Sequence, residues 1–204
     1  QIMRKIMERE GPVEFDGSLY QMPNKGEGTT GLGKPLKSIL EGAPDVPIYT
    51  ASITPAGLRC AGEVADGVFP VWMDPEKYNV LGEYIEEGFA RAGNGKSLDN
   101  FDIAPFVAVS MNDDLDAAFD ALRPYLALYI GGMGARDKNF YFDYATRLGY
   151  GDAAKEVQDP YLDGKKDEAC AKIPTQLIDE VCIVGSADRI RDRLQRWKEA
   201  GARK

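Results

Sequence analysis

Thr54-Pro55 and Asp74-Pro75 share one piece of punctuation, and it constrains the fold more than any other feature of this sequence. In both, a β-prone run ends at a residue whose side-chain oxygen can cap a helix, followed by proline at the first helical position, where no N–H is needed. Residues 47–52 (Pro-Ile-Tyr-Thr-Ala-Ser) form the first run, and the helix after it carries Leu58, Ala61 and Ala65 inward before closing at Asp66-Gly67. Residues 68–73 (Val-Phe-Pro-Val-Trp-Met) are apolar on both faces, as expected of a buried parallel strand. Tyr78, Leu81, Ile85 and Phe89 then recur at helical spacing up to Gly93, and residues 103–110 make a third strand with Pro105 in its interior. Strand, helix, strand, helix, strand is the order of an α/β protein with a parallel sheet.

The flanks are less regular. Residues 1–10 read as a basic helix with an apolar stripe of Ile2, Met3, Ile6 and Met7, stopped by Gly11-Pro12. Residues 13–19 read as a hairpin around Asp16-Gly17, and residues 21–47 as a long surface connection rich in Gly, Pro and Lys. After Met111 the pattern turns helical. Residues 113–130 are amphipathic through Leu115, Phe119, Leu122, Leu126 and Tyr129, with a kink at Pro124; Gly131-Gly132-Met133-Gly134 breaks that helix. An aromatic helix covers 139–148 and two short helices follow up to 178. Residues 181–184 are a brief extended run. Ser186 caps a last helix bearing Ala187, Ile190, Leu194 and Trp197, with Gly201 at its C-terminal cap. With three clear parallel strands and a final helix that feeds no further strand, the sheet is expected to lack strands at both ends.

Composition narrows the chemistry. Lys and Arg total 25 against 33 Asp and Glu, a net charge of −8, which disfavours non-specific nucleic-acid or anionic-lipid binding. No apolar run approaches the ~20 residues of a membrane span, and a cytoplasmic location is expected. Three cysteines, Cys60, Cys170 and Cys182, are read as small core residues, since they form neither a zinc motif nor a disulfide framework. The chain has no histidine, so Ser-His and Cys-His nucleophile systems are excluded and any reaction must lean on carboxylates, Tyr, Lys, backbone dipoles or a cofactor.

Ligands of parallel α/β folds gather at the C-terminal ends of strands. Ala51-Ser52-Ile53-Thr54-Pro55 is one such end, where free N–H groups and a helix dipole favour a phosphate; an ordinary capped helix would look the same. Val71-Trp72-Met73-Asp74 is the other, suited either to the face of a flat ring or to plain core packing. Gly131-Gly132-Met133-Gly134-Ala135-Arg136-Asp137-Lys138 reads as a lid bringing Arg136 and Lys138 to an acidic cofactor tail or substrate, or as a helix-to-helix turn with solvated charges. Asp113, Asp114 and Asp116 are structural acids of a first helical turn, and Arg189, Arg191, Arg193 and Arg196 a solvated face.

These segments resemble a known family. Residues 47–70, with Ala61-Gly62-Glu63 and Ala65-Asp66-Gly67 at the helix end, resemble a signature of luciferase-like monooxygenases. Val184-Gly185-Ser186 and the helix ending Glu-Ala-Gly at 199–201 are similar to the family's penultimate helix. Residues 131–141 and Arg-Leu-Gly-Tyr at 147–150 are similar to the subgroup using the deazaflavin coenzyme F420. The resemblance implies a TIM-like (β/α)8 barrel, here incomplete, with strands five to seven present, the first four and the last missing, and residues 112–180 as a helical insertion. It also implies that residues 1–204 are the C-terminal part of one barrel domain, inactive in isolation. F420 is the implied cofactor, with FMN as the alternative, and the implied reaction is hydride transfer to or from a small organic substrate by a homodimer. An FMN-dependent monooxygenase and a non-catalytic barrel subunit are the alternatives. Ser52, Ile53 and Thr54 match the turn around the cofactor phosphate, and Val71 and Trp72 match strand-end positions beside the ring. Where close relatives carry two glycines, this chain has Ile53 and Thr54.

Overall fold

A computed structural model describes residues 1–29, 33–39 and 41–199. Gly201, expected as the last helical cap, lies outside the described residues. The chain divides into two compact units, 1–47 and 48–204.

In the first unit, α1 (Ile2–Glu8) ends at Arg9 in the left-handed conformation, and none of its residues is fully buried. Its basic side chains serve the backbone. Arg4 donates to the carbonyls of Pro44 and Val46, and Lys5 to that of Glu14. Strands β1 (Phe15–Asp16) and β2 (Gln21–Met22) form an antiparallel hairpin closed by Gly17 N–H on Tyr20 O, a few residues beyond the expected hairpin.

The second unit holds the core. Strands β3 (Tyr49–Ala51), β4 (Gly67–Phe69) and β5 (Asp102–Ile103) pair in parallel, with Ala51 opposite Phe69 and Val68 opposite Ile103. Helix α2 (Pro55–Val64) links β3 to β4 and buries Leu58 and Ala61, the Leu alone contributing roughly 2 kcal/mol. Asp74 caps a short turn, Pro75–Lys77, that leads into α3 (Asn79–Ala92), which closes at Gly93 with positive φ. Helices α2 and α3 touch backbone to backbone at Gly62 and Gly88. A Cβ on either would strike the other helix, so only glycine permits this approach.

Three expectations about strands change. The run 68–73 is not buried on both faces: α2 packs against β3 and β4, leaving Val68 inaccessible but Phe69 44% exposed. The third strand is not continuous. β5 ends at Ile103, a single bridge joins Phe106 to Val71, and the chain resumes as β6 (Val109–Met111) in another ladder. Pro105, which has no N–H to offer a ladder, lies in the break. Among the described residues the parallel strands number five rather than three, because the third run splits into β5 and β6 and the extended run near 181–184 supplies β7 (Ile183–Gly185), buried throughout and parallel to β6.

Between β6 and β7 lie helices α4 (Leu115–Asp120), α5 (Arg123–Ala127), α6 (Phe140–Ala145), α7 (Gly151–Leu162), α8 (Lys166–Ala171) and α9 (Thr175–Val181). Wide turns at Leu128–Gly132 and Thr146–Tyr150 extend α5 and α6. Asp114 caps α4 by accepting from Ala117 N–H. Gly131 and Gly132 do not interrupt the helix as a loose hinge. They end its wide turn, pressed on the Tyr161 ring of α7, where side chains would clash. The final helix α10 (Ala187–Glu199) is not uniformly solvated either, since Arg189 and Arg193 turn inward to Asp179 and to the carbonyls of Val184 and Asp179. Of the cysteines only Cys182 is buried; Cys60 is exposed and Cys170 intermediate.

Candidate functional site

The end of β3 runs into α2 through Ser52, Ile53 and Thr54. Thr54 is extended (φ −84°, ψ 148°), and its hydroxyl accepts the Gly57 N–H at 3.2 Å. Pro55 has no N–H, so the first-turn amide of Ala56 is left without an acceptor among the described residues. An uncommitted amide and the positive end of a ten-residue helix thus face outward from a strand end.

At the end of β4 the chain turns sharply. Trp72 takes φ +51°, a conformation costly for a bulky side chain and sustained only by surrounding contacts. Those contacts are explicit. The Trp72 carbonyl accepts from Tyr144 Oη at 3.0 Å, and the indole N–H donates to Tyr125 Oη at 3.2 Å. The indole packs edgewise on Tyr125 and Tyr129 and tilted on Tyr141, with centroids 5.4–6.1 Å apart. Such aromatic pairs contribute about 0.5–1.5 kcal/mol each beyond their buried area.

The third part comes from α6. Asn139 is buried and uses both ends of its amide. The oxygen accepts from Tyr141 and Phe142 N–H at 2.9 and 3.1 Å, while the nitrogen donates to the carbonyls of Tyr129 and Ile130 at 3.0 and 2.8 Å. One residue therefore fastens the start of α6 to the preceding helical turn and fixes where Phe140 and Tyr141 point.

These three parts meet in a cavity of about 310 Å³ lined by Ala51, Ser52, Ile53, Thr54, Phe69, Val71, Phe140 and Tyr141. No lining side chain is charged. Burial raises the Tyr141 phenol above its ordinary value, so it stays a neutral donor throughout the physiological range. The arrangement offers apolar and aromatic walls with hydroxyls and a helix N-terminus at one edge. That combination fits a flat, neutral ring system carrying an anionic tail. A recess of about 410 Å³ in the first unit has charged walls, including Lys5, Glu14, Asp16 and Lys25, and lies against the antiparallel hairpin rather than at the end of a parallel strand.

Four of the residues singled out from sequence, Ser52, Ile53, Thr54 and Val71, line this cavity together. Trp72 does not; 1% exposed, it stands behind the wall and supports Tyr141. Arg136 pairs with Asp159 of α7, and Lys138 closes a tight turn through its N–H on Ala135 O; neither lines the cavity. Phe140 and Tyr141 were not singled out, although the Asn cap before an aromatic run signalled them. Nor was Arg147, whose guanidinium donates to the Ile53 carbonyl from the other side of the turn.

Residues 1–204 match the family model described as luciferase-like monooxygenase. A Mycobacterium tuberculosis protein assigned as a coenzyme F420-dependent oxidoreductase is 41% identical over 201 residues, covering 98% of this chain and 58% of the relative. The 5,10-methylenetetrahydromethanopterin reductase of Methanopyrus kandleri is 30% identical over 193 residues, covering 94% of this chain and 50% of that protein. The solved structure of the coenzyme F420-dependent tetrahydromethanopterin reductase from the same organism superposes with a TM-score of 0.72 at 26% identity, covering 98% of this chain and 52% of that one. The chain thus spans between half and three-fifths of the length of these relatives, and its α/β fold is theirs. Among the described residues no helix is long and apolar enough to cross a membrane.

Proposed function

Because the chain belongs to the luciferase-like monooxygenase family, we propose that it forms part of an F420-dependent oxidoreductase that moves a hydride between the deazaflavin and a small organic substrate. The observation that carries this reading is the cavity where the 52–54 turn, Val71 and Tyr141 meet without a charged side chain. The relatives' names and the shared fold support the choice of cofactor.

In this reading, Ser52, Ile53, Thr54 and the Ala56 amide hold the phosphate at the N-terminus of α2, where the backbone supplies donors and partial positive charge. Val71 and Tyr141 border the ring, and Phe69 and Phe140 exclude water from it. When bound, the deazaflavin supplies hydride chemistry at its ring carbon. The protein's share is orientation: Trp72 and Asn139 hold the aromatic wall rigid, so Tyr141 presents one neutral hydroxyl at a constant position.

We also place β3, β4, the broken β5–β6 strand and β7 as four consecutive parallel strands of an eight-stranded barrel, with 112–180 as an insertion before the last. The length of the relatives supports this, the chain covering 58% of one and 50% of another. Titration of the full-length protein with F420 and, separately, FMN tests the reading by fluorescence. Saturable F420 binding with no FMN binding is the expected result. FMN binding alone would favour a flavin monooxygenase, and binding of neither would favour a non-catalytic subunit.

A further inference from the structure

Arg147 is a cation placed where no local chemistry demands one. It sits in the wide turn Thr146–Tyr150 after α6, and its Nη2 donates to the carbonyl of Ile53, 94 residues away. The guanidinium lies over the rings of Tyr144 at 5.1 Å and Tyr84 at 5.8 Å. Its Nη1 is fully buried without a hydrogen-bond acceptor. Among the described residues no carboxylate forms an ion pair with it. A half-buried charge with no counter-ion is costly, and such arrangements concentrate where function uses the field.

Among the described residues its one hydrogen bond falls on Ile53, in the middle of the 52–54 turn. A trans peptide is planar, so the Ile53 carbonyl and the Thr54 N–H point in opposite directions. Arg147 is absent from the cavity lining, whereas Ile53 and Thr54 are part of it. Holding the carbonyl on the Arg147 side therefore turns the Thr54 N–H toward the opposite side. Neither Ile53 nor Thr54 has the freedom of glycine, and a side chain reaching in from the α6–α7 connection can fix this peptide where sequence-local forces do not.

We propose that Arg147 is a positioning residue for an anion at the 52–54 turn. It orients the Ile53–Thr54 peptide and supplies uncompensated positive charge behind it, so that a phosphorylated cofactor is preferred over the same chromophore without phosphate. The inference rests on the cofactor reading given above, and the test separates the two.

Full-length protein, wild type and Arg147→Met, is titrated by fluorescence with F420 and with the deazaflavin chromophore that lacks the phosphodiester tail. The expected result is that Arg147→Met weakens F420 binding on the order of tenfold while the phosphate-free affinity holds. Arg147→Gln keeps an N–H for the carbonyl and loses the charge, so its preference should fall between; it is the variant to read if Arg147→Met does not fold. A general structural role would weaken both ligands alike and leave their ratio unchanged, and that result overturns the proposal. Wild-type protein that binds neither chromophore overturns the cofactor reading and the proposal with it. Wild-type binding of both with no preference for phosphate overturns the proposal alone.

Discussion

The hydroxyl of Tyr144 donates to the carbonyl of Trp72 at 3.0 Å, joining α6 to the end of β4 across 72 residues of chain, and both residues are buried. The bond satisfies a carbonyl that the positive φ of Trp72 has turned away from any ladder. Tyr144→Phe leaves it buried and unpaired, and should cost about 1–3 kcal/mol in urea unfolding with little change in m-value. Unchanged stability would mean that something else holds the Trp72 backbone.

Gly132 and Tyr161 allow a sharper choice between hinge and packing. A Cβ on Gly132 would meet the edge of the Tyr161 ring, so Gly132→Ala should destabilise by about 1–3 kcal/mol. Trimming the ring in the same chain (Tyr161→Ala) should make the second substitution less costly than it is alone, a coupling that a double-mutant cycle measures. A hinge glycine would give no such coupling.

Glu180 predicts a pH dependence with a definite sign. Burial pushes its carboxyl up, but donation from Lys77 at 2.7 Å and from Gln176 at 2.9 Å outweighs it and leaves the value below the ordinary carboxylate one. A depressed folded pKa stabilises above the unfolded value, and the gain is lost as pH falls through the folded one. Asp74 behaves oppositely, since burial raises it and its contribution is lost on going to higher pH. Glu180→Gln removes only the first effect. At neutral pH the variant should be less stable by about 1 kcal/mol, the pair being partly solvent-screened. Urea unfolding at successively lower pH should show the gap closing below the usual carboxylate range; a gap independent of pH would refute the assignment.

Cysteine labelling should discriminate by position. Burial raises the Cys182 thiol to about 12 and removes it from solvent, whereas Cys60 lies exposed on α2. Peptide mapping after alkylation of native protein at neutral pH should find Cys60 modified and Cys182 modified only after denaturation. Labelling of Cys182 as fast as that of Cys60 would contradict its burial.

What could be read from the sequence was governed by distance along the chain. Thr54, Asp74, Asp114 and Gly93 act on residues within a turn of themselves, and each does in the structure what its position suggested. The run 68–73 was legible as a strand, but its composition could not say that helices cover one face only and leave Phe69 exposed. Alternating charge on α10 looked like a solvated surface because Asp179, which draws Arg189 and Arg193 inward, lies on another element. Ser52 and Val71 were found through strand-end logic that applies to any parallel sheet. Asn139 and Arg147 serve the site through partners far away in sequence, and no local pattern marks such partners.

The separation of the parallel ladders has a consequence for how the molecule assembles. β3, β4 and β5 are linked by single helices and short connections, so their pairing closes modest loops and can proceed early. β6 finds β7 only after the whole 112–180 stretch has been crossed. Closing so long a loop carries a large entropic penalty unless the intervening helices have already condensed and drawn its ends together. Ladder β6–β7 is therefore expected to form last, making Ile183–Gly185 the seam through which the native state first opens and the segment whose amides should exchange earliest among the buried strands.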